Sequence, residues 1–469
     1  MLSRIKGRLK FNSQATASIW YIASNLITRG AGFLFTPIFT RLLSPSEYGI
    51  YSLYVSLMGI FTVITTFEMS GSVMYRGIAK FENNGCDGFI SSALGAESML
   101  GLGFLVLYII FKRQINAITS LSTPLTVFLL IQIFLNTAQG FYFAKKRYFG
   151  DYKTVSAINI SVGLLTPLLS LLLIHLGVGG ESRIIAPLIT SAAVTAPIIF
   201  SIVKSGKKLF SKDGWKFIFG LTIPMIPHYL SLSLIAQSDK IIVARMLGDG
   251  AVGKYSAAYS VGFMMSLVTG GLSLALTPWT LRKLKDGKTE TVKSAISASA
   301  RVVTFSTLIF LALIPEIFRF AVAKEYYEAL PVTYVVATSV IFYFLSTVLT
   351  NCILHTERSG LITKNSLISA AVSLLSGLIF IRWLGYIGGA YATLISYALL
   401  YTLNYSTSKK VLYKDMIGVK ESLRLFLPLL FFTVLIFLLR GSLFARVLII
   451  FALIVLAVPE VSKCKRILL

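Results

Sequence analysis

The chain has 469 residues, of which 55% are apolar and only 13% charged, about half the charged fraction of an ordinary soluble protein. So little polar surface excludes a fold solvated by water on all sides; the solvent of this chain is lipid. The net charge of +25, from 44 Lys and Arg against 19 Asp and Glu, does not point to nucleic acid. The basic residues come in short runs between long apolar stretches, which is the orientation signal of a polytopic membrane protein.

Arg4, Lys6, Arg8 and Lys10 precede the first apolar segment. That segment is too long for a signal peptide and lacks a small-residue cleavage site behind it, so it is expected to be retained as the first span. A bilayer crossing needs about 20 mostly apolar residues. Such runs lie near 16–40, 48–70, 89–111, 121–144, 154–176, 184–203, 217–246, 252–280, 292–314, 327–350, 362–383, 387–408, 422–439 and 443–459. They predict an all-α, polytopic membrane protein of about fourteen transmembrane helices. The connections are short, and none could hold a soluble domain. Pro37, Pro224 and Pro227 are expected to interrupt the first and seventh helices, where a transporter would bend. Cys86, Cys352 and Cys464 are scattered and suggest neither a disulfide framework nor a metal site; no cofactor is expected.

With the N-terminus in the cytoplasm, the segments on that side hold 30 basic residues. The opposite side holds 11: Arg41, Lys112, Arg113, Arg183, Arg245, Lys254, Arg319, Lys324, Arg382, Arg440 and Arg446. This asymmetry predicts that both termini are cytoplasmic. The Lys112–Arg113 turn goes against it.

An internal repeat appears at an offset of 204 residues. RLLSPSEYGIYS (Arg41 to Ser52) aligns without a gap on RMLGDGAVGKYS (Arg245 to Ser256). A looser match sets HLGVGG (from His175) against WLGYIGG (from Trp383), followed by APLIT (from Ala186) against ATLIS (from Ala392). Two six-helix lobes are therefore expected, 1–203 and 217–408, joined by a basic linker at 204–216 and followed by an appended helix pair at 409–469. An even number of helices per lobe makes them parallel repeats about an axis along the membrane normal, a design that holds its substrate between the repeats.

The stretch IPMIPHYLSLSLIAQSDKIIVARMLGDGAVGKYSAAYSV (Ile223 to Val261) resembles the polysaccharide-transport branch of the multidrug/oligosaccharidyl-lipid/polysaccharide exporter superfamily, which includes the Wzx flippases of O-antigen and capsule repeat units. SIWYIASNLITRGAGFLFTPIFTRLLSPSEYGIYSL near the start, and LGYIGGAYATLISY around Tyr391, are similar in weaker ways. The resemblance covers essentially the whole chain. It implies a V-shaped, MATE-like helical bundle in the bacterial inner membrane with a cationic central cavity. It further implies export of an undecaprenyl-pyrophosphate-linked oligosaccharide, beside a glycan polymerase and a chain-length regulator as possible partners.

Charges inside the spans are the candidate site. Arg29 falls in the first helix, Asp239 and Lys240 in the seventh, Arg301 in the ninth and Glu97 in the third, with Glu68 near a helix end. Each charge at a helix centre costs roughly 2.5–3.5 kcal/mol, so it faces a partner or a water-filled cavity. Arg29 and Lys240 are read as cavity cations, while for Asp239 and Arg301 a structural interhelix ion pair stands beside the binding role. Asp239 and Lys240 project about 100° apart and are expected not to pair with each other. A lipid pyrophosphate cannot enter hydrocarbon unpaired, and Arg and Lys supply the fixed donors that would receive it. Tyr21, Asn25, Thr28, Tyr229, Ser233 and Gln237 are candidates for holding sugar, each with simple interhelix bonding as its alternative.

Three other readings compete: a cation-coupled drug extruder of the same superfamily, a membrane-embedded polymerase, and a scaffold for glycan assembly. An extruder of organic cations wants buried acids, and the first helix offers Arg29 instead. A polymerase wants a large outer loop with catalytic groups; His175, His228 and His355 are scattered, and no hydrolase or nucleotide motif occurs.

Overall fold

The computed structural model describes residues 20, 24, 28, 30, 32–82, 85–356 and 358–468, without the side chains of 72, 359 and 468. Apolar runs in lipid must satisfy their backbone internally, and among the described residues the regular elements are all helices. Contacts divide the chain into two compact units, Met1–Leu230 and Ser231–Leu469.

The first unit contains α1 (residues 32–42), α2 (Pro45–Thr66), α3 (Ser72–Lys80), α4 (Cys86–Ile110), α5 (Lys112–Thr119), α6 (Thr123–Tyr148), α7 (Tyr152–His175), α8 (Ser182–Gly206) and α9 (Lys212–Thr222). The second is built from α10 (Ile226–Leu247), α11 (Asp249–Phe263), α12 (Ser266–Lys285), α13 (Thr289–Ala321), α14 (Leu330–Leu354), α15 (Ser359–Leu384), α16 (Ile387–Leu412), α17 (Val419–Leu438) and α18 (Leu443–Leu468). The division between units falls inside the seventh expected span. Trp215 of α9 donates its indole N–H to the Ser92 carbonyl of α4 at 2.8 Å, and Ile218 is buried with Phe89, Ala93 and Phe141.

Eleven helical segments are long and apolar enough to cross a bilayer, or twelve with one bent pair, among the described residues. Of the other expected spans, the first lies largely outside the described residues. The twelfth is the 26-residue α16, which is not among the eleven. The expected single helix over 252–280 is the bent pair: α11 and α12 meet at 45°. Met264 N and Met265 N reach only to the carbonyls of Val261 and Gly262, three residues back, so the α ladder tightens there. Pro224 and Pro227 leave a 3-10 turn, Ile223–Met225, between α9 and α10.

Each unit builds its own version of the repeated turn. In the first, Ser44 caps α2 and exchanges hydrogen bonds with Glu47 in a capping box, and Glu47 also accepts the Gly180 N–H at 3.0 Å. In the second, Gly248 at φ +83° stands in the matching place before α11. The aligned Tyr51 and Tyr255 both touch the start of a later helix. The Arg183 guanidinium lies 3.8 Å over the Tyr51 ring. In the second unit, Gly389 at the start of α16 leaves room for Tyr255, whose ring and hydroxyl would be 3.3 Å from a Cβ there.

Helix α14 is mostly buried: 83% of the residues in an 18-residue apolar stretch of its span are buried, against 17% and 11% for α17 and α18, which present their sides to lipid. Asn404 of α16, fully buried, joins three helices: it donates to Thr350 Oγ1 of α14 at 3.0 Å and accepts from Asn365 of α15 at 2.9 Å. Between α16 and α17, Asp415 ties the connection closed. Burial opposes its ionisation, but the Gly418 and Ile417 amides and the Tyr405 hydroxyl outweigh this and hold its carboxyl below the usual value. A lowered folded pKa gives stability above the unfolded pKa and loses it as pH falls through the folded one. The thermal-stability advantage over Asp415→Asn is therefore expected to be level above about pH 4 and to shrink below it; an advantage unchanged down to pH 3 would refute this.

Candidate functional site

The sequence Gln237-Ser238-Asp239-Lys240 lies on α10 in the second unit. The Asp239 side chain is 3% exposed and that of Lys240 11%. Asp239 Oδ2 accepts from the Tyr255 hydroxyl of α11 at 2.5 Å and from Thr393 Oγ1 of α16 at 3.1 Å. Its Oδ1 takes the Lys240 amide at 2.8 Å. Three donors, two of them from neighbouring helices, thus replace the water this carboxylate lost.

Lys240 behaves differently. Its Nζ donates to the Ala236 carbonyl at 3.1 Å and to Gln237 Oε1 at 3.2 Å, and stands 4.1 Å from the centre of the Tyr259 ring. The side chain curls back along its own helix and brings Nζ to 3.9 Å from Asp239 Oδ1. The two residues therefore do make an ionic contact, contrary to the expectation from their Cβ directions, though at a separation too long for a hydrogen bond. Tyr397 of α16 and Tyr343 of α14, with ring centres 5.1 Å apart, lie close enough to Tyr259 to interact electrostatically. Tyr343 is 38% exposed, so the tyrosine group reaches the surface of the unit. An ammonium held by one carbonyl, one amide oxygen and one π face is held by exchangeable partners.

Arg29, Asn25 and Tyr21 lie outside the described residues. Thr28 donates to the Ser24 carbonyl at 2.8 Å. Tyr229 and Ser233 are half-buried on α10. Glu97 on α4 is 1% exposed, with the Thr137 side chain of α6 beside its carboxyl group. Glu68, in the turn after α2, is pushed above the usual carboxylate range by burial.

Arg301 belongs to a second polar group within the same unit. On α13 it forms ion pairs with Glu421 of α17 and, at 2.7 Å, with Glu460 of α18. Four turns further along α13, Glu316 receives both Arg446 nitrogens, Nη1 at 2.5 Å and Nη2 at 2.6 Å, while Nη1 also donates to the Ala312 carbonyl at 2.8 Å. Sequence reasoning assigned Arg446 to an outer turn; it is 4% exposed at the start of α18. The signal was there: an Arg and a Glu 15 residues apart on α13, and another pair 14 apart on α18, close to four helical turns each.

A family model described as polysaccharide biosynthesis protein matches residues 15–283. The chain is 23% identical over 395 residues to the "probable low-salt glycan biosynthesis flippase Agl15" of Haloferax volcanii, covering 82% of this chain and 81% of that one. In fold it is similar to the lipid II flippase MurJ in an inward closed conformation (TM-score 0.68, 16% identity, 94% of this chain and 98% of that one). It is also similar to an inward-facing multidrug resistance MATE family transporter of the MOP superfamily (TM-score 0.63, 13% identity, 82% and 94%). With over half its length matched by the family model and its helices arranged as in MurJ and MATE proteins, this multi-pass membrane chain belongs to the polysaccharide biosynthesis protein family.

Proposed function

We propose that the chain is a flippase, a transporter rather than an enzyme, that carries a lipid-linked oligosaccharide across the membrane by alternating access. The substrate we infer is an undecaprenyl-pyrophosphate-linked repeat unit of O-antigen or a related glycan, passing from the cytoplasmic to the periplasmic leaflet of a bacterial inner membrane. The observation that carries this reading is Lys240, a cation inside an apolar helix bundle, held by a backbone carbonyl, an amide oxygen and an aromatic face. The glycan flippase relative, matched over four-fifths of both chains, supports the substrate class, and the MurJ likeness supports a fold able to serve it.

Lys240, Gln237 and Asp239 form the binding set in this reading; Arg29 and Asn25, proposed from the sequence, lie outside the described residues. Two carboxylates pair with Arg301, which supports a role in holding helices together beside the binding role read from the sequence. Arg76 and Lys80 on α3, Lys145 to Arg147 at the end of α6 and Lys204 near the end of α8 gather at one end of the first unit. This supports cytoplasmic placement of that end.

Drug extrusion is the second reading, favoured by the MATE likeness and by the buried acids Glu97 and Asp239. Deletion distinguishes the two. Lipid-linked repeat units are expected to accumulate on the cytoplasmic face of the membrane, with susceptibility to cationic drugs unchanged. Hypersensitivity to such drugs without accumulation would favour extrusion.

A further inference from the structure

In the second half of α14, every residue that is not buried falls on one stripe: Tyr343, Thr347, Thr350, Asn351 and Leu354. Helical spacing spreads these five over about 100° of the helix surface. The stripe carries hydroxyls and a carboxamide. The lipid-facing helices of the same unit instead expose Leu427, Phe431 and Val434 on α17 and Val447, Phe451 and Val455 on α18. Tyrosine in a bilayer gathers at the two interfaces, but Tyr343, 38% exposed, stands midway along the 25-residue α14. Interfacial anchoring does not account for it.

Polar side chains in lipid also serve to bond helices together. Asn351 does so, donating from Nδ2 to Thr277 Oγ1 of α12 at 2.9 Å. Thr347 does not, because its hydroxyl donates to the Tyr343 carbonyl of its own helix at 2.9 Å. The Thr347 hydroxyl oxygen and Asn351 Oδ1 are acceptors. The Tyr343 ring packs on Tyr397 at 5.1 Å between centres, and Tyr397 in turn neighbours Tyr259, the ring beneath the Lys240 ammonium. The stripe therefore starts where the surroundings of Lys240 end. A sugar ring has a face of C–H bonds and a rim of hydroxyls. An exposed tyrosine ring, followed by polar groups at steps of about 6 Å along the helix, matches both.

We propose that this stripe of α14 binds the sugar portion of the transported lipid, with the Tyr343 ring stacked on a sugar's C–H face and Thr347 and Asn351 accepting its hydroxyls. The assignment rests on the flippase reading and deepens it, since it separates recognition of the glycan from recognition of the phosphate. Full-length protein in nanodiscs would be titrated with two probes: bare undecaprenyl pyrophosphate, and the lipid-linked repeat units that accumulate in the deletion strain. The unaltered protein is expected to bind the glycan-bearing lipid about tenfold more tightly, as one aromatic stack and one hydrogen bond supply. Tyr343→Leu should reduce that preference to about twofold or less and leave affinity for the bare carrier unchanged. Thr347→Val, nearly the same shape and without a bond to another helix, should reduce it to about threefold, and it keeps the test open should Tyr343→Leu fail to fold. A full preference in the folded variants, or equal binding of both probes by the unaltered protein, would overturn the sugar site and leave the flippase reading standing. If no repeat units accumulate on deletion, or the unaltered protein binds neither probe, the flippase reading falls and the sugar site with it.

Discussion

Lys240→Ala is expected to lower glycan export at least about tenfold, the loss of one charge-assisted hydrogen bond of about 1.5–3 kcal/mol, while the protein stays folded in the membrane. The fold survives because Asp239, although it loses the ionic contact with Lys240 at 3.9 Å, keeps its hydrogen bonds. Asp239 keeps the Tyr255 and Thr393 hydroxyls and the backbone amide of residue 240, and the tyrosine group loses only a cation over one ring. Asp239→Ala should act in the opposite way. It strands the buried Tyr255 hydroxyl, at about 1–3 kcal/mol, and leaves Thr393 Oγ1 only the Gly389 carbonyl at 3.2 Å, and therefore lowers thermal stability as well as export. Asp239→Asn, which retains an acceptor for both hydroxyls, should recover most of that stability. The measurements are surface glycan per molecule of protein and the melting temperature in detergent. Lys240→Ala with normal export would remove the cation from the mechanism. A fall in export matched by an equal fall in stability would make Lys240 a structural residue.

The helices were legible because lipid permits few alternatives: a run of twenty apolar residues has to satisfy its own backbone, and α4 and α14 lie where their hydropathy placed them. The break between α11 and α12 was not legible. The apolar run continues through Val261-Gly262-Phe263-Met264-Met265, and a shift from four-residue to three-residue hydrogen bonding leaves no mark on composition. The ends of α13 were also missed, since Thr289 and Glu290 give a polar first turn to a 33-residue helix. At the site, Cβ directions separated Asp239 from Lys240 correctly, but four methylenes let the ammonium return to Ala236 and Gln237 and thus approach the acid. Tyr255 and Thr393 were invisible as Asp239's partners because they are 16 and 154 residues away in sequence. Only the Tyr51–Tyr255 match in the repeat singled out one of them.

Arg446→Ala is expected to destabilise the second unit by about 2–4 kcal/mol. The range lies toward the lower part of what breaking a buried ion pair costs, because the Glu316 side chain is 43% exposed and can find other solvation. Helices α13 and α18 run antiparallel with crossed charges: Arg301 meets Glu460 and Glu316 meets Arg446. Sliding α18 by one turn would break both pairs at once, so the two fix its register in a setting where lipid gives little preference among apolar packings. If register is their role, the double variant Arg446→Leu/Glu316→Leu, which leaves no stranded charge, should regain most of the melting temperature lost by Arg446→Ala. Arg301→Ala exposes the difference between a clamp and a binding site. As a clamp, Arg301 leaves Glu421 and Glu460 facing each other, so the variant should lose stability. Adding Glu421→Gln and Glu460→Gln should then restore stability and export together. Were export to remain lost in that stabilised triple variant, Arg301 would have to act on the substrate itself, and the assignment of its charge to the helix clamp would fail.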